Sequence, residues 1–311
     1  THDGTAVRDY IHVTDLAEMH TIHVEVTNAC HLRCANCTRH IGHHKKPFFM
    51  DLETVERAID SLEGFPGRVG LMGGEPFLHP QIKEIIEIFA KKTERRKRHI
   101  WTAGFKWEEN KDLIYEHFDE DYITYNDHTA PGKHQPLLVA IDDVVEDKEL
   151  ADELINNCWV QEQWSASITP KGGFFCEVAA SLDYLLDGPG GVPIEKGWWK
   201  QSLDAFKDQM ATSCRKCSAP IPLPHESDGF GGRTGPTKDT ISKSNYEILK
   251  ERSLKVQKGN YKILNTKFTK EDIIKNSFSW TPSRYRDFIS HSSEDSSKHR
   301  LLSPETKIKA R

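Results

Sequence analysis

Hydrophobic residues recur along the first half of the chain with two alternating periods, one typical of strands and one typical of helices. Ile22–Val26 alternates apolar and polar positions, as a half-buried strand does. Leu52–Leu62 places its apolar residues three and four apart behind Asp51, a favoured N-cap residue, and is predicted to be an amphipathic helix. The alternation continues with strands at Arg68–Met72, His99–Thr102, Tyr122–Tyr125 and Pro136–Ile141 and helices at Pro80–Lys92 and Glu108–Phe118.

Strands that alternate with helices of this length predict an α/β fold with a parallel sheet, closed or partly closed as a barrel. A complete barrel of this type needs about eight βα units, and the pattern supplies fewer. We therefore expect a partial (β/α)6 barrel over residues 21–150, with a smaller domain after it.

The rhythm of the sequence changes after about residue 150. Trp164–Thr169 and Phe174–Glu177 flank the turn Pro170–Gly173 and are predicted to form a hairpin. Two helices are expected after it, at Val178–Leu186 and Trp198–Met210. The chain is accordingly divided into a lead-in at 1–20, the barrel at 21–150, a small second domain at 151–220 and a partly disordered extension at 221–311, whose lysines are expected to face solvent.

Composition narrows the class of protein. The 311 residues carry a formal net charge of −5, whereas a general nucleic-acid binder carries a basic excess. No apolar run approaches the roughly eighteen residues that a membrane helix needs. The first residues show neither the basic nor the apolar region of a secretion signal. We thus expect a cytoplasmic protein with neither nucleic acid nor membrane as a partner.

The cysteines carry the clearest chemical signal. Seven of them, an odd number in a chain with no export signal, suit metal binding in a reducing compartment better than disulfides. Cys30, Cys34 and Cys37 follow the first predicted strand with the spacing Cys-x3-Cys-x2-Cys. Three thiolates on one loop suit a [4Fe–4S] cluster with one iron left open, because a cubane takes one thiolate per iron. The alternative, a zinc site, would need one of four nearby histidines as its fourth ligand: His31, His40, His43 or His44.

A second motif, Gly73-Gly74-Glu75-Pro76, closes the second predicted strand. Two glycines let the backbone approach a ligand closely, Glu75 offers a carboxylate and Pro76 stiffens the turn. Many βα loops contain a pair of glycines, so the tetrapeptide alone is weakly informative. Its position one βα unit after the three cysteines makes the combination specific.

Together the two motifs resemble those of the radical S-adenosylmethionine (SAM) superfamily, and the resemblance extends over residues 21 to about 217. It implies that the three cysteines bind a [4Fe–4S] cluster whose open iron chelates SAM. It also implies that the loop Gly73–Glu75 (Gly73, Gly74 and Glu75) holds the methionine ammonium and that Pro76 and Thr102 belong to the cofactor-binding site. After the fourth strand, Asn126 or Asp127 is expected to contact the ribose or carboxylate of SAM. The chain departs from the family at Asn36, because the residue before the third cysteine is often aromatic and lies near the adenine.

The remaining cysteines are Cys158, Cys176, Cys214 and Cys217. They flank the predicted hairpin and follow the next helix, and four thiolates are what a fully ligated second [4Fe–4S] cluster needs. By ligand type alone a structural zinc ribbon fits equally well. Beside the first motif, the arrangement resembles the twitch domain, a shortened SPASM domain that carries one auxiliary cluster.

The resemblance implies a radical SAM oxidoreductase that cleaves SAM reductively to a 5′-deoxyadenosyl radical, which abstracts a substrate hydrogen. It implies an electron donor such as flavodoxin or ferredoxin as a partner. The interval from Cys158 to Cys176, followed by Cys-x-x-Cys, is similar to that of aminocyclitol dehydrogenases of the butirosin type. Gly4–Ala17 is similar to a segment of nucleotide-sugar epimerases. The expected substrate is therefore a sugar, aminocyclitol or similar small metabolite, to be oxidised or epimerised.

Substrate contacts are expected in the polar loop after the fourth strand, because loops at the C-terminal ends of barrel strands carry function. The candidate catalytic residues are Asp127, His128, Lys133 and His134. Two alternatives to this function remain. One is radical modification of a ribosomally made peptide, and the other is a zinc-bound interaction module without redox chemistry.

Overall fold

Short strands and helices alternate along the described chain, which in this computed structural model comprises residues 21–126, 133–158, 160, 166–223, 226–227 and 238–277. The strands are β1 Thr21–Thr27, β2 Arg68–Gly73, β3 Arg98–Thr102, β4 Ile123–Tyr125, β5 Lys133–His134, β6 Ser167–Thr169, β7 Gly172–Phe174, β8 Glu226–Ser227, β9 Asp239–Ser242 and β10 Tyr261–Leu264. The helices are α1 Leu52–Ser61, α2 Ile82–Lys92, α3 Trp107–His117, α4 Ile141–Val144, α5 Lys148–Asn156, α6 Glu177–Leu186, α7 Lys207–Ser213, α8 Lys243–Leu249, α9 Leu254–Gln257 and α10 Lys270–Ser277. The predicted lead-in at 1–20 and the C-terminal residues after 277 lie outside the described residues.

A six-stranded sheet forms the centre of the fold, in the order β4-β3-β2-β1-β6-β7. β1 to β4 and β6 run parallel, whereas β7 returns antiparallel to β6 as the second arm of a hairpin. The prediction of an α/β fold with a mostly parallel sheet, consistent with a partial barrel, is confirmed. Within the described ranges, every helix is too short or too polar to cross a lipid bilayer.

The alternation in β1 separates an apolar face from a polar one. Val24 and Val26 are fully buried and pack with α1 and α2, against residues such as Ile86, in the main core. Because successive side chains of a strand point to opposite faces, His23 and Glu25 lie on the other side of the sheet, in the interior of the partial barrel. Both are buried there. The barrel interior is therefore polar where it meets β1.

The hairpin belongs to the central sheet. His23 and Val24 of β1 lie opposite Ser167 and Ile168 of β6 in parallel register. This pairing connects part of the 151–220 segment directly to the barrel strands. β1 thus lies inside the sheet, between β2 and β6, rather than at its edge.

The expected barrel strand at Pro136–Ile141 is wrong. Leu138 forms an isolated bridge with Ile241 of β9, and Ile141 begins α4. The apolar side chains of this stretch are buried in two satellite clusters, beside the second set of cysteines and α5, and do not join the main core. A short apolar run does not reveal which cluster will bury it, and here tertiary packing decides.

The expected helix at Trp198–Met210 is broken. Two 3₁₀ turns, Trp198–Lys200 and Leu203–Phe206, precede α7. The break follows from packing, since Trp198 lies against Gly173 of the hairpin and donates from its indole Nε1 to the Ser61 hydroxyl at 3.2 Å. With Trp199 it joins the main core.

The lysines of the C-terminal region do not all face solvent, which corrects the expectation for that region. Lys255 on α9 is 4% exposed, because its ammonium is paired with the buried carboxylate of Asp239 on β9. β9 and β10 form a separate parallel pair beside the barrel.

Replacing Trp198 by alanine is expected to lower the free energy of unfolding by about 3–5 kcal/mol, because it removes a large, almost fully buried side chain from the main core. Equilibrium urea unfolding of the iron-free protein, followed by circular dichroism, measures the change. Tyr115→Ala is the control, since Tyr115 on α3 is 47% exposed and its loss is expected to cost about 0.5 kcal/mol or less. Equal losses for the two variants would contradict a core role for Trp198.

Candidate active site

A tight seam of backbone holds the first cysteine loop over the end of β2. Gly74 N donates to Thr27 O and Glu75 N donates to Ala29 O, each at 2.8 Å. A Cβ added to Gly73 would lie 2.1 Å from Thr27 O, and one added to Gly74 would lie 2.2 Å from Ala29 O. Only glycine fits at these two positions, and the close approach places Cys30 directly beyond the seam.

The structure brings the three cysteines of this loop together. Cys30, Cys34 and Cys37 pack with Leu32 and Ala103 in one small cluster. They lie along a cleft of about 620 Å³ at the C-terminal ends of β1, β2 and β3. Of the residues predicted from the sequence, the cleft is also lined by Gly73, Gly74, Thr102, Asn126 and His134.

The donor set fits an iron–sulfur cluster. Burial raises the pKa of the Cys30 thiol to about 12, and the neighbouring Cys37 and Glu75 also oppose its ionisation. A thiolate here therefore requires a cation to compensate its charge, which cluster iron supplies. The three sulfurs share one cleft but, in the described part of the chain, no three His, Cys, Asp or Glu side chains are grouped to hold a single metal ion. A cubane binds one thiolate at each of three separate irons, so it tolerates the wider spacing.

The zinc alternative also loses two of its candidate histidines to other partners. His40 Nδ1 is hydrogen-bonded to the hydroxyl of Ser181 on α6. His43 is hydrogen-bonded to the Ser253 hydroxyl through Nδ1 and to the Asp239 carboxylate through Nε2. Both rings are buried in these contacts, and neither completes a tetrahedron with the cysteines.

Glu75 connects the ends of two strands. Its Oε1 accepts from the Thr102 hydroxyl at 2.8 Å and from Phe77 N at 3.1 Å, and its Oε2 accepts from Ala103 N at 2.6 Å. The carboxyl group is fully buried, and burial raises its pKa. Glu75 and the buried Pro76 are not among the residues that line the cleft, so the glycines are the part of this motif that forms its wall.

Thr102 and Asn126 stand side by side at the ends of β3 and β4. Asn126 N donates to Thr102 O at 2.8 Å, and the Thr102 hydroxyl accepts from Gly104 N at 3.0 Å. The side-chain oxygen of Asn126 is buried and accepts no hydrogen bond from the described chain. A buried acceptor of this kind at a cleft wall is suited to a donor group of a bound molecule.

The expected substrate residues are only partly described. Asp127 and His128 lie outside the described residues, and Lys133 belongs to β5 but its side chain is not described. His134 is buried at the cleft, where its Nδ1 lies 2.9 Å from Ala35 O. Because a carbonyl only accepts, Nδ1 carries the proton and Nε2 of the neutral ring is the basic nitrogen.

Sequence reasoning missed a buried group of charged side chains inside the barrel. Glu177 at the start of α6 pairs with the Arg39 guanidinium and lies 2.7 Å from His23 Nδ1. Burial opposes its ionisation, but Arg39 and His23 hold the pKa of Glu177 below its usual range. Glu25 accepts from the Ser167 hydroxyl at 2.7 Å, and burial raises its pKa. The signal was present in β1, where His23 and Glu25 alternate with valines.

Arg39 also joins the two sets of cysteines. It lines the cleft two residues after Cys37, and its partner Glu177 directly follows Cys176. The hydrogen bond between His40 and Ser181 is a second contact between the same loop and α6. The first cysteine loop is therefore docked on the helix that begins beside Cys176.

The other four cysteines converge although they are distant in sequence. Cys158, Cys176, Cys214 and Cys217 line one pocket of about 380 Å³, otherwise surrounded mainly by apolar side chains. Burial raises the pKa of Cys176 to about 12 and that of Cys217 well above its usual range, and the neighbouring cysteines of the set oppose ionisation further. Four thiols are thus gathered in a place where thiolates require a compensating cation.

One family model and several solved structures are similar to parts of this chain. Residues 24–127 match the family model of the radical SAM superfamily. Among solved structures, BtrN in complex with AdoMet and 2-DOIA is similar with a TM-score of 0.42 and 17% identity, over 63% of this chain and 92% of that one. BtrN in an open conformation gives 0.38 and 16%, over 63% and 86%. For anSMEcpe with bound AdoMet the TM-score is 0.23 at 11% identity, over 86% and 57%.

No curated protein matches the chain. The family match begins in β1 and ends just after β4, so it contains the three-cysteine loop, the glycine seam and the ends of all four strands. Residues 24–127 of this chain are a radical SAM domain.

Proposed function

We propose that this protein uses a [4Fe–4S] cluster and SAM to oxidise a small polar metabolite, with a second cluster as the electron acceptor. When bound, the first cluster supplies one electron to SAM, whose cleavage yields methionine and a 5′-deoxyadenosyl radical able to remove a substrate hydrogen. The observation that carries the proposal is the convergence of Cys158, Cys176, Cys214 and Cys217 on one buried pocket.

In this proposal the first cleft holds SAM. Cys30, Cys34 and Cys37 would hold the cluster, which would leave one iron free to bind the methionine end of SAM. The wall formed by Gly73 and Gly74 allows the close approach of that end, since side chains there are excluded. The buried oxygen of Asn126 accepts a hydrogen bond from SAM.

The second pocket then holds the auxiliary cluster. Its four thiols match the four irons of a cubane. The bonds from Arg39 to Glu177 and from His40 to Ser181 support a fixed separation between the two clusters. A fixed separation between the two clusters suits transfer of an electron from a substrate in the cleft to the auxiliary cluster.

The reaction proposed is oxidation of a secondary alcohol to a ketone. A base of this chain would take the hydroxyl proton, while bound SAM and the auxiliary cluster would supply the acceptors for the carbinol hydrogen atom and for the second electron. His134 is the proposed base, because its imidazole lines the cleft and its Nδ1 bond to Ala35 O holds the ring in place. Asp127, His128 and Lys133 remain predicted substrate contacts.

The cleft favours a small substrate over a peptide. SAM as well as the substrate would occupy this cleft, and its walls are the cysteine loop and the ends of the barrel strands, with polar side chains such as Thr102, Asn126 and His134. Arg39 also lines this cleft, where its guanidinium is paired with Glu177. We therefore retain a sugar, aminocyclitol or related polyol as the substrate class, with flavodoxin or ferredoxin as the proposed reductant.

The first prediction concerns SAM cleavage. Anaerobically reconstituted protein, reduced with dithionite, is expected to release 5′-deoxyadenosine from SAM even without substrate, because the first cleft alone performs this step. Cys34→Ala is expected to release none, since it removes one of three cluster ligands. Chromatography of the quenched reaction measures the nucleoside. Its release by Cys34→Ala at the level of the unchanged protein would overturn the assignment.

The second prediction concerns the auxiliary cluster. Iron analysis is expected to give about eight irons per chain for the reconstituted protein and about four for the double variant Cys214→Ala/Cys217→Ala, because each cubane contains four. The double variant is expected to keep substrate-free SAM cleavage. The Cys34→Ala variant is the matched control, since it should lose iron from the other site. Zinc without iron in the unsubstituted protein would contradict both cluster assignments.

The third prediction separates His134 from the radical step. With a panel of cyclitols and amino sugars, His134→Ala is expected to form 5′-deoxyadenosine but to lower the yield of ketone by about a hundredfold, the usual effect of losing a general base. Mass spectrometry of the derivatised ketone gives the ratio of the two products. His117→Ala on α3 is the control, and an unchanged ratio in His134→Ala would exclude His134 as the base.

A further inference from the structure

A buried group of two charged side chains and one hydroxyl side chain lies directly behind the first cysteine loop and does not line the cleft. It consists of Asp239 on β9 together with Ser253 and Lys255 at the start of α9, and we refer to these three residues as the brace. Asp239 is 2% exposed, Lys255 4% and Ser253 is fully buried. All three lie outside the segment 24–127 that matches the radical SAM family.

Asp239 is the centre of the brace. Its Oδ1 accepts from Asn36 N at 2.6 Å and from Lys255 Nζ at 2.9 Å. Its Oδ2 accepts from His43 Nε2 at 2.5 Å. Burial opposes ionisation of this carboxyl group, but Lys255 and His43 hold its pKa well below the usual range, so the group is a carboxylate.

Lys255 bonds to the main chain between the cysteines. Its ammonium donates to Cys34 O at 2.8 Å while it remains paired with Asp239. The stem of the same side chain lies against Gly42, where a Cβ would come within 3.2 Å of it. One lysine thus contacts the loop both at the second cysteine and near its far end.

Asn36, which precedes Cys37, is held in an unusual backbone conformation. Its φ is +52°, a left-handed value that is unfavourable for a residue with a side chain. The residue is bonded on both sides, since its amide donates to Asp239 and its Oδ1 accepts from Thr240 N at 2.9 Å. Such a conformation persists when its surroundings fix it, and here those surroundings are β9.

Ser253 fixes the far end of the loop. Its hydroxyl is 2.7 Å from His43 Nδ1, and Leu254 N donates to His43 O at 3.0 Å. The brace therefore contacts the chain at Cys34, Asn36 and His43, on both sides of Cys37. On the loop side these contacts are made by main-chain groups and by the His43 imidazole, and not by the cysteine sulfurs, so they are independent of iron.

A buried ion pair is a poor source of stability, because removing two charges from water offsets most of their attraction. Its advantage is geometric, since a buried carboxylate surrounded by three donors holds each of them in one position. We propose that the brace is a positioning device that holds the cysteine loop in its cluster-binding conformation before iron is bound. Asp239, Ser253 and Lys255 are then positioning residues of the SAM site. The proposal rests on the assignment of Cys30, Cys34 and Cys37 as cluster ligands.

The direct test uses hydrogen exchange of the iron-free protein, measured on peptides that cover residues 34–43. Lys255→Met removes the ammonium but keeps an apolar stem, and it is expected to accelerate exchange of the Asn36 amide by about tenfold to a hundredfold. Lys255→Arg keeps the charge and is expected to restore most of the protection. Asp183→Asn is the control, because Asp183 on α6 is also a buried aspartate paired with a lysine. Its partner is Lys171, in the turn between β6 and β7. This control variant should leave the loop unchanged.

A second measurement separates positioning from general destabilisation. After reconstitution, Lys255→Met is expected to lose iron from the first site alone, keeping about four irons per chain that depend on Cys214 and Cys217. Its electron paramagnetic resonance spectrum is expected to lose the signal that changes on addition of SAM. Equal loss of iron from both sites, or unchanged exchange of the Asn36 amide, would overturn the proposal. Because hydrogen exchange is measured on the iron-free protein, the exchange result does not depend on whether the protein cleaves SAM.

Discussion

The site depends on the close approach of two backbone segments at the end of β1 and β2. Gly73 and Gly74 lie so near Thr27 O and Ala29 O that no side chain fits between them. This approach extends the β1–β2 pairing beyond the sheet and fixes the direction in which the chain enters the cysteine loop. Glu75 then transmits the same geometry to β3 through its bonds to Thr102 and Ala103. The cleft wall is consequently built from main chain, which varies little in position once the strands are paired.

Around this seam the protein buries an unusual amount of charge. Arg39 and Glu177 lie within the barrel, and Asp239 and Lys255 lie behind the cysteine loop. Neither charged group is needed for stability alone, since well-packed apolar side chains of similar volume would stabilise the fold equally well. Both groups join elements from distant parts of the chain, and both end on the loop that carries Cys34 and Cys37. The charges therefore define where this loop lies relative to α6 on one side and β9 on the other.

The local part of the fold was predictable from the sequence, and the long-range part was not. β1 to β4 and α1 to α3 follow the hydrophobic period closely, because each buries one face against the same sheet. The stretch Pro136–Ile141 has the composition of a strand, yet its apolar residues are buried beside Ile241 and the second cysteines. Trp198–Met210 has the spacing of a helix, yet contacts with Ser61 and Gly173 interrupt it.

The candidate site shows the same division. The spacing of the cysteines and the paired glycines identified one wall of the cleft, because these signals are local. The role of Glu75 could not be derived, since its acceptor geometry depends on where β3 ends. The buried pairing of Arg39 could not be predicted, because its partner Glu177 is 138 residues away. Lys255 looked like any other lysine of a charged region until β9 placed Asp239 beside it.

The separation between the cysteine loop and its brace has a consequence for biosynthesis. Asn36 and Asp239 are 203 residues apart, and Cys34 and Lys255 are 221 apart. At ordinary rates of translation, Asn36 is synthesised about 10–40 s before Asp239. During that interval the cysteines of the loop are present without the contacts that arrange them. Metal delivered to the nascent chain would encounter cysteines that are not yet arranged as ligands. We therefore expect the cofactor to be inserted after the polypeptide has been completed and released.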